Sequence, residues 1–280
     1  ATKKRFIQVL AFLALSRRRR RTGVGAPPAM AAPLPNMSAL PAGGLPAPEP
    51  TGAKLYIGSR QLKGAGPRYA PYPANAILVD VTSAQSMGNA NRVAFSPMHP
   101  IEGEPYVDPA GLEWYCFEEA WQAGKVWQDE HGNEVPHHLT WQRWRDKKRS
   151  GRPNRKLSAF FPRARQWTVV SAMFPEKPDH RYEYVESRKE IYVPRYEAWV
   201  KSRPVAMQTL EGIRTLLREQ RRPIVVFDLD GPRDVAGAME TVRVTPEMLR
   251  ERINDQRFPF GHGYVVAAMA AGIPSAVYCQ

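Results

Sequence analysis

The chain has 280 residues and 43% of them are hydrophobic, so it can bury a core and is not disordered throughout. Its formal net charge of +13 favours contact with polyanions such as nucleic acid, anionic lipid or an acidic protein, although solubility alone could explain it. Only two cysteines are present, Cys116 and Cys279, which excludes a disulfide framework and a cysteine-based zinc site and favours a reducing compartment.

Residues 1–53 lack the composition of a folded domain. The mostly apolar run Phe6 to Leu15 is too short to span a membrane, so no transmembrane segment is predicted. It could instead be a signal-peptide core, part of an organelle transit peptide, or a helix that docks on a partner. Five arginines follow the run and could bind nucleic acid or an acidic partner: Arg17, Arg18, Arg19, Arg20 and Arg21.

The stretch from Gly23 to Pro50 is rich in Ala, Pro and Gly, which predicts an extended linker rather than a packed unit. We therefore expect a cationic arm and linker over 1–53 and one globular domain over 54–280. Within that domain, Lys54 to Ser59 and Ala76 to Thr82 are predicted strands, the second with the β-branched content of a buried strand. The polar stretch Ser83 to Asn91 predicts a loop.

The stretch from Gly111 to Trp127 is the most informative in the chain, and its periodicity predicts a helix. Apolar residues and a glycine recur at three- and four-residue steps: Trp114, Phe117, Trp121 and Gly124. Polar residues share a neighbouring face: Glu118, Gln122 and Lys125. A glycine inside a helix costs about 1 kcal/mol relative to alanine, so Gly124 predicts that another group approaches closely. Cys116 is expected to be a small core residue.

Glu118-Glu-Ala-Trp-Gln-Ala-Gly-Lys125 resembles the signature helix of the NADAR (YbiA-like) family, which reads roughly E-H-A-Y-Q-A-x-K-F. Glu119 stands where that family usually has histidine. Ala94-Phe-Ser-Pro97 resembles the F-S-N-F turn of the family, and the resemblance covers roughly residues 95–125. It implies an α+β protein with a single NADAR-like α/β domain behind the basic arm. It also implies an N-glycosidase whose substrates include ADP-ribose on guanine bases.

The resemblance implies that Glu118 and Lys125 are catalytic. Glu118 would activate water or stabilise positive charge on the sugar. Lys125, with its pKa lowered by burial, could attack the C1 atom of the ribose or protonate the leaving base. An ADP-ribosyl or nucleotide-like ligand is expected, without a cofactor, and a carboxylate at Glu119 would repel its diphosphate. The residues expected to contact this ligand are Phe95, Ser96, Trp114, Trp121, Gln122, Gly261, His262 and Gly263.

The segment from Leu139 to Arg165 interleaves tryptophans with cations, which is typical of a surface that binds nucleic acid or phosphate. A solvated basic loop is the alternative. The cations expected to bind a polyanion are Arg145, Lys147, Lys148 and Arg149. The neighbouring His137 and His138 point apart on any regular element, so no metal site is predicted there.

In the C-terminal half, Gln166 to Met173 is an apolar segment that closes on the core, and Ala206 to Glu219 is an amphipathic helix. Ile224 to Asp230 is a buried strand that ends in D-x-D-G, as in haloacid-dehalogenase-type phosphatases. Pro232 and the few residues that remain exclude that fold. Asp228 and Asp230 are expected to cap the strand and orient a loop.

Thr245 and Pro246 predict the start of a helix that runs to about Asn254. A second, small-residue helix is predicted over Val265 to Ala271, entered through Gly261 and Gly263. Accessible backbone N–H groups at such a helix start suit a phosphate, although a tight packing turn is an equal alternative. His262, between these glycines, is expected to be either a core residue or a ligand-facing one.

The sequence leaves three functions open. One is a NADAR-like N-glycosidase that acts on ADP-ribosyl or related ribosyl-base substrates. Another is a structural component of a large assembly, such as a virion or a ribonucleoprotein-like particle, on a catalytically retired fold docked by its basic arm. A nucleic-acid-binding module without catalysis is a third possibility. The sequence leaves the location open between a reducing intracellular compartment, a virion and an organelle.

Overall fold

The computed structural model describes residues 54–63, 66–83, 89–98, 105–136 and 167–280. Within these ranges the protein combines helices and sheets, so the predicted α+β class is confirmed. The predicted arm over 1–53, including its five arginines, lies outside the described residues. The histidine pair at 137–138 and the basic segment over 139–165, including its four predicted polyanion-binding cations, lie outside them as well.

The described strands follow one another along the chain. They are β1 (Leu55–Lys63), β2 (Gly66–Tyr69), β3 (Ile77–Asp80), β4 (Tyr106–Val107), β5 (Glu113–Trp114), β6 (Lys125–Gln128), β7 (Glu134–Pro136), β8 (Thr168–Phe174), β9 (Lys177–Tyr182), β10 (Ile224–Asp228) and β11 (Thr241–Arg243).

The described helices are mostly in the C-terminal half. They are α1 (Ala90–Phe95), α2 (Phe117–Ala123), α3 (Tyr184–Ser187), a π-helical segment (Arg188–Tyr192), α4 (Val193–Lys201), α5 (Pro204–Glu219), α6 (Pro246–Asn254), α7 (His262–Ala270) and α8 (Ser275–Tyr278). None of these helices combines the length and the apolar character that a membrane span requires.

The main sheet has the strand order β11-β1-β10-β3, and β2 pairs with the second half of β1. Strands β1, β10 and β3 run parallel, whereas β11 is antiparallel to β1. All five residues of β10 are buried, as the continuous hydrophobic pattern of a central parallel strand requires. In the register of this sheet, Ser59 lies opposite Asp228 and Phe227 lies opposite Asp80. The parallel pairing of β1, β10 and β3 therefore ends at one edge of the sheet, and beyond it β1 continues to Lys63 as the partner of β2.

Helix α7 is buried along its whole length, from His262 to Ala270. It packs on β1 and β10 of the sheet and against α4 and α5. Its side chains are mostly small, which lets the helix backbone approach these neighbours closely. The N-terminus of α7 faces the edge where the parallel strands end, because the glycines there touch Asp228 and Asp230.

The prediction of a helix from Gly111 to Trp127 is correct only at the centre of this stretch. Phe117–Ala123 is helical, and the residues on either side are not. On the N-terminal side, Gly111 has a φ of +79° and turns the chain between β4 and β5. On the C-terminal side, residues 125–128 form β6 and pair with β7 and β8. Cross-strand pairing of aromatic and β-branched residues outweighs a helical pattern that no cap supports. Cys116 is the N-cap of the helix and is buried.

Most other sequence predictions agree with the structure, with shifted ends. Helix α5 begins at Pro204, and α6 has the predicted bounds, with the Thr245 hydroxyl accepting from the Met248 amide at 3.2 Å. Strand β10 ends at Asp228, two residues early, and α7 begins already at His262. The polar stretch Ser83 to Asn91 is not wholly a loop, because α1 starts at Ala90. The second sheet, β7-β6-β8-β9, is not predicted by the sequence, although its strand β8 lies in the segment expected to close on the core.

The close approach predicted at Gly124 is confirmed. A Cβ atom added there would collide with the ring of Phe174. Gly212, inside α5, offers a matched contrast, because a Cβ atom there would meet nothing within 4 Å.

We expect Gly124→Ala to lower the free energy of unfolding by about 1–3 kcal/mol, because the methyl group overpacks against Phe174. Gly212→Ala is the control and should stabilise the protein by about 0.5–1 kcal/mol, since alanine favours a helix and has room. Urea denaturation followed by circular dichroism measures both. Equal effects of the two changes would contradict the proposed contact.

Candidate functional site

Polar side chains gather at the edge of the main sheet where the parallel pairing of β1, β10 and β3 ends. Ser59 lies on β1 beside Asp228, the last residue of β10, while Asp80 ends β3. All three are buried. In open parallel sheets, ligands bind outside the carboxyl ends of the strands. This edge is therefore the candidate functional site.

The Asp228 carboxylate holds the start of α7. Its Oδ1 accepts from the Leu229 amide at 2.7 Å, and its Oδ2 accepts from the Gly263 amide at 2.9 Å. A carboxylate at a helix N-terminus is also favoured by the helix dipole. The Gly263 N–H group is thus occupied rather than accessible to a phosphate, which corrects the sequence prediction. Added Cβ atoms at Gly261 and Gly263 would collide with Asp228 and Asp230, so these glycines permit close packing.

His262 is buried and links Asp228 to the end of β3. Its Nδ1 lies 3.2 Å from Asp228 Oδ2, and its Nε2 lies 2.7 Å from the carbonyl oxygen of Val81. Both ring nitrogens therefore face hydrogen-bond acceptors. Ser83 Oγ is 3.5 Å from Nε2, so Ser83, His262 and Asp228 follow one another as the nucleophile, base and acid of a serine-hydrolase triad do. Because Nε2 points at a carbonyl, it is not available to take the Ser83 proton.

Three polar residues predicted on one helical face come together, although Lys125 lies on β6 rather than on the helix. Gln122 Nε2 donates to Glu118 Oε1 at 2.6 Å, which fixes the carboxylate. Burial lowers the pKa of Lys125, while the charges of Glu118 and Asp230 partly oppose that shift. The Glu118 amide donates to the carbonyl of Pro97 at 2.8 Å, so the A-F-S-P turn is tied to this helix.

Asp230 is the residue of this site whose importance the sequence did not show. It lies in the turn after β10, where the residue is exposed on one side and packs against Gly261 on the other. Desolvation and the repulsion from Asp228 raise the pKa of Asp230 to about 7, with Glu118 adding to the rise and His262 opposing it. The sequence signal for this residue is the D-x-D pattern at a strand end, which predicts a capping role. Asp228 has that role, whereas Asp230 does not.

Two tyrosines cover the site from the π-helical segment and α4. Burial raises the pKa of Tyr192, and the charges of Glu118 and Asp228 raise it further, so its hydroxyl lies near the same carboxylates. The rings of Tyr192 and Tyr196 stack in parallel with 6.1 Å between centroids. Single π-helical turns occur often at functional sites. The sequence did not predict this segment, because a π-turn has no signature in apolar periodicity.

The predicted aromatic residues fall into two groups. Trp121 is half-buried and packs between Tyr192 and Phe174, with centroid distances of 5.0 and 5.8 Å. Phe95 is fully buried and Trp114 is 3% exposed, so they belong to the core rather than forming the expected stacking walls. Ser96 is also buried, as the C-cap of α1, and its hydroxyl oxygen accepts from the amide of Met98 at 3.3 Å.

A cavity of about 440 Å³ lies apart from this cluster. It is lined by residues 105–109 and by Arg195, Trp199 and Arg203 of α4 and its end. Neither Glu118 nor Lys125 lines it. In the described ranges, no group of three or more His, Cys, Asp or Glu side chains has an arrangement that could hold a metal ion.

Comparison with curated proteins gives no match, and comparison with solved structures gives none. A family model matches residues 68–243, more than half of the chain, and its description is "Family of unknown function (DUF6939)". The match includes Glu118, Lys125, Asp228 and Asp230 but ends before α7. Nothing in it links the chain to the NADAR family, so that resemblance remains a prediction. By this match, the protein belongs to DUF6939, a family of unknown function.

Proposed function

We propose that Glu118, Lys125 and Asp230 form the active site of a NADAR-like N-glycosidase that acts on ADP-ribosyl or related ribosyl-base substrates. One observation carries this proposal. A lysine whose pKa is lowered by burial lies within electrostatic reach of two carboxyl groups, and one of these, Asp230, has a pKa raised to about 7. Perturbed pKa values of this kind cluster at functional sites. The resemblance of the Glu118–Lys125 motif supports the substrate class.

The three groups match the three demands of breaking a ribosyl–base bond. As the bond between ribose C1 and the base nitrogen breaks, the carboxylic acid of Asp230 gives its proton to the leaving base. The neutral amine of Lys125 forms a new bond to C1, and Glu118 takes the proton that the amine loses. The adduct opens to an imine, which water hydrolyses to release the ribosyl product and the free amine.

The neighbouring residues orient these groups. Gln122 holds one carboxylate oxygen of Glu118 through the 2.6 Å hydrogen bond. Asp228 donates no proton in this scheme, because its carboxylate is held by α7 and its charge serves to raise the pKa of Asp230. Trp121 and Tyr192 supply the aromatic surface nearest to the cluster.

Lys125→Met should abolish release of ADP-ribose from ADP-ribosylated guanine DNA, because the side chain can no longer attack C1. Borohydride added during turnover should trap a ribosyl adduct on the wild-type chain, seen as a mass increase, but not on the variant. Lys177→Met, at an exposed lysine of β9, is the control and should keep both signals. Unchanged turnover in Lys125→Met, with a native circular dichroism spectrum, would remove the catalytic assignment.

Asp230→Asn should lower turnover about 10²–10⁴-fold, the usual contribution of a general acid. It should also raise the melting temperature more at pH 8 than at pH 5. The folded state raises the pKa of Asp230, so its ionised form is disfavoured in the fold, and this loss of stability grows as pH rises towards 7. Asn removes that loss.

Thermal unfolding at the two pH values tests this, with Asp179→Asn on the exposed face of β9 as the control. A stabilisation by Asp230→Asn that is the same at both pH values would contradict the raised pKa.

The alternative, a structural component of a large assembly or a nucleic-acid-binding module, depends on the arm and the basic segment outside the described residues. Its support is the run of five arginines, with no acidic residue before Glu49. Phosphate contacts release counterions, so binding of the full chain to single-stranded DNA should weaken linearly with the logarithm of salt concentration.

Replacing Arg17–Arg21 by alanine should make that slope shallower, as filter binding or fluorescence anisotropy would show. An unchanged slope would exclude the arm as the polyanion contact.

A further inference from the structure

A second charged cluster lies at the same edge of the main sheet and takes no part in the chemistry above. Arg60 of β1 and Arg92 of α1 both donate to the Oδ2 atom of Asp80, at the end of β3. All three residues are buried, at 4%, 9% and 7% exposure respectively. The neighbouring Thr82 is fully buried and donates its amide to Asp80 Oδ1 at 3.0 Å.

The cluster holds one more positive charge than negative. Within the described part of the chain, Asp80 is the carboxylate paired with either guanidinium. Burial raises the pKa of Asp80, but hydrogen bonds from Arg92 and Thr82 and the charge of Arg60 outweigh burial and leave the pKa below its usual value. Asp80 is therefore ionised and balances one arginine. An unbalanced charge in a protein interior is costly, and the ring of Tyr69 beneath Arg60 offsets only part of that cost.

Two buried guanidinium nitrogens of this cluster have no hydrogen-bond partner: Arg60 Nε and Arg92 Nε. Both carry an N–H group that can donate a hydrogen bond. Buried donors in native proteins are normally satisfied by protein, by ordered water or by an ion. A water molecule could accept these hydrogen bonds but would leave the extra positive charge. An oxyanion would satisfy both, because guanidinium groups bind phosphate through charge-assisted hydrogen bonds.

We propose that Arg60 and Arg92 form an oxyanion subsite that binds the phosphate group of a ligand. Arg92 keeps about a tenth of its side chain at the surface, which gives an anion a direction of approach. The subsite adjoins the proposed active site, because Val81, between Asp80 and Thr82, accepts from His262 at 2.7 Å. Insofar as the ligand is an ADP-ribosyl substrate, the inference rests on the proposed function. Its diphosphate would then lie by the arginines and its ribose C1 by Lys125.

The test compares thermal unfolding of the full chain in inorganic phosphate and in chloride at equal ionic strength. Binding to the folded state should raise the melting temperature in phosphate by about 2–4 °C at a concentration near ten times the Kd. Arg60→Met should lose this rise without loss of stability in chloride, because Asp80 and Arg92 remain as a neutral pair.

Arg218→Met, at an exposed arginine of α5 that pairs with Glu211, is the control and should keep the full rise. The arginines of the N-terminal arm are present in every variant, so differences between variants report on the cluster. If the wild type shows no phosphate-dependent rise, or Arg60→Met keeps it, the subsite does not exist.

ADP-ribose as a second probe separates the sources of the phosphate. It should raise the melting temperature of the wild type and of Lys125→Met, but not of Arg60→Met. A rise with inorganic phosphate and none with ADP-ribose would show that the subsite binds free phosphate and would overturn its role in substrate binding. Because these readouts do not depend on turnover, the subsite and the proposed reaction can fail independently.

Discussion

The Asp228 carboxylate connects the three parts of the molecule that define the candidate site. It ends the central strand β10, accepts hydrogen bonds from the start of α7, and faces His262, whose other nitrogen reaches the end of β3. Removing one partner of a buried, hydrogen-bonded charge typically costs several kcal/mol, because the remaining groups stay buried without partners. The positions of α7, the strand ends and the turn that carries Asp230 therefore depend on this one group.

The position of Asp228 also sets the electrostatics of the site. Desolvation and the charge of Asp228 raise the pKa of Asp230 to about 7. A structural anchor thus makes the adjacent carboxyl group a candidate acid at neutral pH. At Lys125, burial disfavours the charged form and lowers the pKa, while the negative charges of Glu118 and Asp230 favour the charged form.

Charges of opposite sign are arranged in order along the sheet edge. The cluster of Asp80 with Arg60 and Arg92 has a net positive charge, whereas Glu118, Asp228 and Asp230 make the neighbouring region acidic. A ligand with an anionic group at one end and a sugar carbon that becomes electron-poor at the other would match both regions.

The sequence by itself determined the α+β class, the buried strand β10, helices α5 and α6 with the Thr245 cap, and the pairing of Glu118 with Gln122. These features depend on residues close in sequence, whose periodicity, caps and four-residue spacing act locally. Only the tertiary structure decided that α2 is short, that Lys125 lies on a strand, and that Phe95 and Trp114 are core residues. Each of these outcomes depends on a partner far along the chain, such as β8 for residues 125–128. The raised pKa of Asp230 has the same origin, because it requires β10, α2 and α7 to bring Asp228, Glu118 and His262 around one carboxyl group.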